Sequence, residues 1–331
     1  MKRILYLYRD SPFARFIRDD AAILKERYTV DEIHMEARAV TFARLLAAIV
    51  RADLVYFWWG DITGVIGAAL AAIRRKPSVM ITGGYDVADV PEIRYGLRYH
   101  PWRRFLPPLA LKAATAIIAN AEVTRDGVIR DFGVDRARIR AIPHGLDASA
   151  ITPGARPKEK RVLTCSLLSE HYVAYKGLDT FVSAARLVPE VTFAHAGPDN
   201  GDGTRERLAN TAPPNVVFLG FLKEEALIEE MRRALVYAQL SAHEGFGLAL
   251  AEAMLAGATP VVTRAGAIPE VVGPVGHYVD YGDVAGTARA IADALERPDG
   301  AAARERIVRC FPIERRRRAL LDAIGELLPD A

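Results

Sequence analysis

The chain is 331 residues long and carries 44 basic and 41 acidic side chains, a formal net charge of +3. At roughly 100–200 residues per domain this length predicts two domains. A hydrophobic share of 51% excludes disorder as the main state, because disorder needs low hydrophobicity together with high net charge. The balanced charge excludes a dedicated nucleic-acid coat. Cys165 and Cys310 are the only cysteines, which excludes a disulfide framework and a CxxC metal knuckle and points to a reducing, cytoplasmic compartment. Met1–Arg9 reads as a short strand that meets a charge at once, unlike a signal peptide. The longest apolar run, Ile62–Ile73, falls short of the roughly 20 residues of a spanning helix.

Short β-rich runs alternate with helical patterns along the chain. Strands are predicted at Ile4–Tyr8, Thr29–His34, Leu54–Trp58, Ser78–Thr82, Ala116–Ala119 and Ile139–Ile142. Helices are predicted between the earlier of them, at Ala14–Arg27, Phe42–Arg51 and Thr63–Arg74. Near-continuous apolar strands in this alternation read as βαβ units of a parallel sheet covered on both faces. Thr152–Lys160, with two prolines, a glycine and four charges, then reads as an interdomain linker. The alternation restarts with strands at Val162–Ser166, Val191–Ala196, Val216–Leu219, Val236–Leu240 and Thr259–Thr263. Helices are predicted at Thr180–Leu187, Glu224–Ala234, Leu248–Ala256 and Val284–Leu295, where Asp283 suits a cap. Ile313–Leu328 is a last, very basic helix after the bend at Phe311–Pro312. The expectation is an α/β protein of two similar halves.

The halves differ in charge. Residues 1–150 hold 23 basic and 17 acidic side chains, against 21 and 24 in the remainder. Arg94–Phe105 mixes arginines with aromatic residues and reads either as a solvated face or as a peripheral contact with anionic lipid headgroups. Arg315–Arg318 could extend the same basic surface.

The chemistry concentrates in Ser241–Val262. A strand ends near Leu240, a turn with two glycines follows, and a helix begins near Gly247. A helix N-terminus at the carboxyl edge of a parallel sheet offers N–H groups and a positive dipole end to a phosphate. Glu244 precedes that helix, and Glu252 lies about one and a half turns inside it. Carboxylates beside a phosphate site make sense if they take hydroxyls, so the inferred ligand is a nucleotide-diphosphate sugar.

The spacing of Glu244 and Glu252 resembles the E-x7-E motif of retaining glycosyltransferases of the GT-B fold, family 4. So do Tyr175-Lys-Gly-Leu-Asp179, Ile142-Pro-His-Gly-Leu-Asp147, Val217-Phe-Leu-Gly220 and Thr263–Val272, in the same order. The resemblance implies two Rossmann-like domains facing a central cleft. Residues 1–153 would be the acceptor domain, joined again by 313–331, and 154–312 the nucleotide-sugar domain. It implies Glu244 and Lys176 as catalytic residues. Lys176, Gly177, Gly220, Glu244, Gly245, Phe246, Gly247, Leu248 and Glu252 would bind the donor, with Glu252 on the ribose. Asp10, Gly84, Tyr85, Asp86 and His144 are candidates for the acceptor side, with Asp86 equally readable as a turn residue. No metal and no cofactor beyond the donor are expected, and no nucleic-acid partner. The acceptor is lipid-linked, a glycan or a small metabolite. The chain departs from the family where Cys165-Ser166-Leu167 stands in place of an arginine, and where Gly83 stands in place of a histidine. A dehydrogenase is disfavoured, since Arg9-Asp-Ser-Pro-Phe13 follows the first strand without G-x-G-x-x-G. A non-catalytic sugar-nucleotide-binding or membrane-adaptor protein is the other alternative.

Overall fold

The computed structural model describes residues 1–9, 15–35 and 42–328. The chain divides into two units, Met1–Gly145 with Ile313–Ala331, and Leu146–Pro312. Unit 1 runs β1 (Arg3–Tyr8), α1 (Arg15–Lys25), β2 (Thr29–His34), α2 (Phe42–Arg51), β3 (Leu54–Trp58), α3 (Ile62–Ile73), β4 (Ser78–Thr82), α4 (Leu106–Ala113), β5 (Ala116–Ala119), α5 (Glu122–Phe132) and β6 (Ile139–Ala141). Unit 2 runs β7 (Glu159–Cys165), α6 (Glu170–Lys176), α7 (Leu178–Ala185), β8 (Thr192–Ala196), α8 (Thr204–Thr211), β9 (Val216–Gly220), α9 (Glu224–Arg233), β10 (Ala234–Gln239), α10 (Leu248–Leu255), β11 (Thr259–Thr263), α11 (Ile268–Val272), β12 (His277–Val279), α12 (Val284–Glu296) and α13 (Gly300–Cys310). The final helix, α14 (Ile313–Leu327), belongs to unit 1.

Each unit is a six-stranded, all-parallel sheet, ordered β2-β1-β3-β4-β5-β6 and β12-β11-β10-β7-β8-β9. In unit 1, alternate strand residues serve opposite cores, as the two-residue strand period requires. Leu5, Leu7, Val55, Phe57 and Met80 pack with α2 to α5, while Ile4, Tyr6, Tyr56, Trp58 and Ile81 pack with α1 and α14. In unit 2, Leu163 and Val262 pack with α9, α10 and α13, while Val162 and Val261 pack with α7 and α12. The continuous apolar strands of the sequence are thus strands covered on both faces.

The structure departs from the sequence reading in three places. The unit boundary lies at Gly145/Leu146, upstream of Thr152–Lys160. Lys158 is held in unit 2 by donating to the carbonyls of Arg232 and Ala234, each at 3.0 Å. Glu170–Lys176, to which the sequence pattern assigns no element, forms α6. Arg315–Arg318 does not extend the surface of Arg94–Phe105, because α14 packs on the sheet face opposite α4. Arg316 is buried there, its Nε and Nη2 donating to Asp20 at 2.7 and 2.8 Å. Arg317 pairs with Glu26 at 2.7 Å.

Candidate active site

In unit 2 the chain leaves β7 towards β8 and β9 on one side, then returns to β10, β11 and β12 on the other. The reversal falls between the carboxyl ends of β7 and β10, where open α/β sheets bind ligands. Glu244 and Lys176 meet there. Lys176 Nζ donates to Glu244 Oε1 at 2.6 Å, from the last turn of α6. Ser241 Oγ and Gln239 Nε2 donate to the same oxygen, each at 2.7 Å, and Gln239 also donates to Ser241 Oγ at 2.7 Å. Gln239, Ser241 and Glu244 are all buried. Charge-assisted hydrogen bonds of this length are the strong kind, and they offset the cost of burying a carboxylate.

The backbone around the pair is fixed by close approach. Gly177 has φ +66°, and a Cβ there would stand 2.2 Å from the Leu240 carbonyl oxygen. Gly266 has φ +55°, and a Cβ there would stand 2.2 Å from the Glu244 carbonyl oxygen. The Ala242 N–H donates to the Tyr175 carbonyl at 2.9 Å, and the Ala267 N–H to the Glu244 carbonyl at 2.8 Å. The loops after β7, β10 and β11 are thereby stitched into one rim.

Gly245, Phe246 and Gly247 lead into α10, whose first turn has no side-chain cap. Its N–H groups and dipole suit an anion. The Phe246 ring packs edge-on against Phe311, so what it can offer a ligand is its backbone. Leu248 packs on the core beneath. Glu252, half-buried on α10, acts electrostatically on Cys165 at the end of β7, as does Lys176. Burial pushes the Cys165 thiol up to about 12, against a hydrogen bond with Tyr237, and Glu252 adds to the rise. The structure thus gathers Lys176, Gly177, Glu244–Leu248 and Glu252 at one strand edge. Gly220 stands apart, at the end of the outer strand β9, three strand spacings or about 14 Å from β10.

Sequence reasoning missed Gln239, Ser241 and the pair Ser166–His195. Ser166 Oγ lies 2.9 Å from His195 Nε2, and burial lowers the His195 imidazole to about 4, so it is neutral. A glutamine inside the apolar run Ala234–Gln239 is a signal that could have been read, since buried amides are kept for hydrogen bonding.

In unit 1, Asp86 is buried and holds a turn. Its Oδ2 accepts from Thr82 Oγ1 at 2.7 Å and the Gly60 N–H at 3.1 Å, and its Oδ1 accepts from the Gly84 N–H at 3.3 Å. Burial raises its carboxyl. Tyr85 packs edge-on against Tyr95. His144 is buried between Phe16 and Trp58, which lowers its imidazole well below the ordinary range. Asp10 lies outside the described residues. Among the described residues, no three His, Cys, Asp or Glu side chains gather in a way that could hold a metal ion, and no helix is long and apolar enough to cross a membrane.

Residues 17–150 match the family described as Glycosyltransferase Family 4, and residues 159–297 match Glycosyl transferases group 1. Between them these matches take in most of the chain and both describe glycosyltransferases, and the two six-stranded parallel sheets are those of the GT-B fold. The chain is 32% identical over 208 residues to a D-inositol 3-phosphate glycosyltransferase of Mycolicibacterium smegmatis, covering 58% of this chain and 48% of that one. It is 26% identical over 162 residues to the phosphatidylinositol N-acetylglucosaminyltransferase gpi3 subunit of Schizosaccharomyces pombe, covering 47% and 35%. The chain thus spans about half or less of the length of these curated relatives. Anabaena HepE, solved with UDP and glucose, superposes with a TM-score of 0.80 at 21% identity, covering 98% of this chain and 100% of that one. At that identity the likeness is one of fold.

Proposed function

We propose that the chain transfers a sugar from a nucleotide-diphosphate sugar to a hydroxyl acceptor, with retention at the anomeric carbon and without a metal ion. The observation that carries this reading is the meeting of Glu244, Lys176 and the uncapped start of α10 at the switch point of unit 2. In the transfer, the bond from the anomeric carbon to the diphosphate breaks and one to the acceptor oxygen forms, the hydroxyl proton leaving with the released diphosphate. Negative charge grows on that diphosphate, and Lys176 with the α10 N–H groups stabilises it. Positive charge grows on the sugar ring, and Glu244 offsets it. Glu252 takes the ribose hydroxyls. Lys176 donates to Glu244. A bound diphosphate competes for the ammonium, while Gln239 and Ser241 keep the carboxylate in place. Uridine donors are the first choice, because HepE was solved with UDP and glucose. The acceptor is lipid-linked, a glycan or a small metabolite.

A thermal-shift panel tests this reading. It compares uridine, guanosine, adenosine and thymidine diphosphates with their glucose, N-acetylglucosamine and mannose conjugates, with and without chelator. A ligand at a hundredfold excess over its Kd stabilises by about 2.7 kcal/mol. A shift confined to one base and indifferent to chelator is expected, and no shift with any of them overturns the reading. The second reading, a sugar-nucleotide-binding protein without turnover, is favoured by Cys165-Ser166-Leu167 standing in place of the family's arginine. It predicts the same shift with no sugar transferred.

A further inference from the structure

Unit 1 carries a surface that glycosyl transfer does not explain. Trp102, Phe105 and Leu109 are 61%, 57% and 54% exposed. They follow one another at i, i+3 and i+7 through the short helical turn Arg103–Phe105 and into α4. That spacing places them in one stripe. The inner side of the same helix is already satisfied, since Leu106, Ala110 and Leu111 are buried. The outer stripe is therefore apolar surface that the core does not need. Ile62, 46% exposed, opens α3, which packs against α4. From Ile93 to Ala121 the sequence contains Arg94, Arg98, Arg103, Arg104 and Lys112 and no acidic residue. The Arg104 guanidinium lies 4.8 Å from the centre of the Phe105 ring, so cation and aromatic share one patch. Arg98 is engaged by Asp89, at the margin of this run.

We propose that this face docks onto an anionic lipid bilayer, with Trp102, Phe105 and Leu109 entering the interface and Arg103, Arg104 and Lys112 meeting the headgroups. Aromatic side chains flanked by cations are the composition that headgroup regions favour. The net positive charge of the segment selects an anionic surface over a neutral one. The isolated aromatic and basic letters of the sequence become an interfacial stripe only once α4 is folded. The proposal does not rest on the transferase reading, because lipid binding is measured without a donor.

The test is co-sedimentation of the full chain with vesicles of phosphatidylcholine alone and of phosphatidylcholine mixed with phosphatidylglycerol. The chain is expected to sediment with the mixed vesicles and to be released by salt. The triple variant Trp102→Ser, Phe105→Ser, Leu109→Ser should lose at least about tenfold in affinity while keeping its thermal midpoint, as exposed substitutions do. Arg103→Glu with Arg104→Glu should lose the preference for the mixed vesicles. A blue shift of tryptophan emission on vesicle addition should vanish in Trp102→Phe. Failure of the chain to bind mixed vesicles overturns the proposal, as does binding that neither variant weakens. Equal binding to both vesicle types overturns the anionic assignment. Lipid-free self-association abolished by the triple variant would show instead that a second copy covers the stripe.

Discussion

At the scale of single residues, Glu244 is held by one oxygen. Lys176, Gln239 and Ser241 all donate to Oε1. Such an arrangement fixes where the carboxylate points whether or not the lysine is engaged elsewhere. Glu244→Gln should lower turnover by at least about a hundredfold, the scale of losing one electrostatic partner of the transition state. Nucleotide affinity, read by thermal shift, should stay close to that of the parent chain. Gln239→Ala should lower kcat by about tenfold with little change in donor Kd, since it acts through the placement of Glu244, and stopped turnover assays at saturating donor read this. His195 supplies a pH signature. Its native pKa of about 4 lies below the ordinary 6.5, so below pH 6.5 the unfolded chain takes up a proton that the native one refuses. Its contribution to stability is full above pH 6.5 and is lost as pH falls towards 4. Thermal midpoints measured down that range should fall, and should fall less steeply in His195→Gln.

At the scale of elements, two glycines set the rim of the site. In Gly177→Ala the left-handed φ costs about 1–2 kcal/mol, and the new Cβ also meets the Leu240 carbonyl at 2.2 Å. The substitution should therefore destabilise by more than about 2 kcal/mol and weaken donor binding together, measured by denaturant melts and thermal shift. Gly133→Ala, also at positive φ but with open space around it, should cost only the backbone share. Elsewhere the many basic side chains close helix ends. Lys76 reaches the carbonyl of Val50 at the end of α2, Arg138 that of Leu111 in α4, and Arg306 that of Glu270 in α11. Cations at carbonyl ends complement the helix dipole. Part of the arginine content is thus structural rather than a sign of a polyanionic partner.

At the scale of the whole molecule, the chain returns to unit 1 through α14. Leu320, Leu321 and Ile324 enter the core with α1, and Arg316 is anchored to Asp20, which also accepts from Tyr56 at 2.6 Å. Arg316 Nη1 donates to the Ile142 carbonyl at 2.8 Å, so three segments distant in sequence meet at one guanidinium. Removing one partner of such a buried pair strands the other. Arg316→Ala should therefore cost about 3–5 kcal/mol, read as a lower denaturant midpoint.

The sequence by itself determined the α/β alternation, most strands to within a residue or two, and the helix-terminal motif around Glu244. Each of these depends on local pattern: apolar runs of strand length, a glycine turn, a fixed spacing of carboxylates. It did not reveal α6, because Glu170–Lys176 is short and its helical state is tied to the Gly177 turn against Leu240. It did not reveal that Lys176 and Glu244 share an oxygen, or that Gln239 and Ser241 hold it, since these contacts are made between strand ends that only sheet order brings together. Arg316 read as surface charge, but the tertiary structure placed Asp20 beside it. Tryptophan, phenylalanine and leucine between Trp102 and Leu109 became a stripe only when one helix turned them to the same side. Local spacing can be read along the chain, whereas side chains from distant segments acquire partners only in the packed structure.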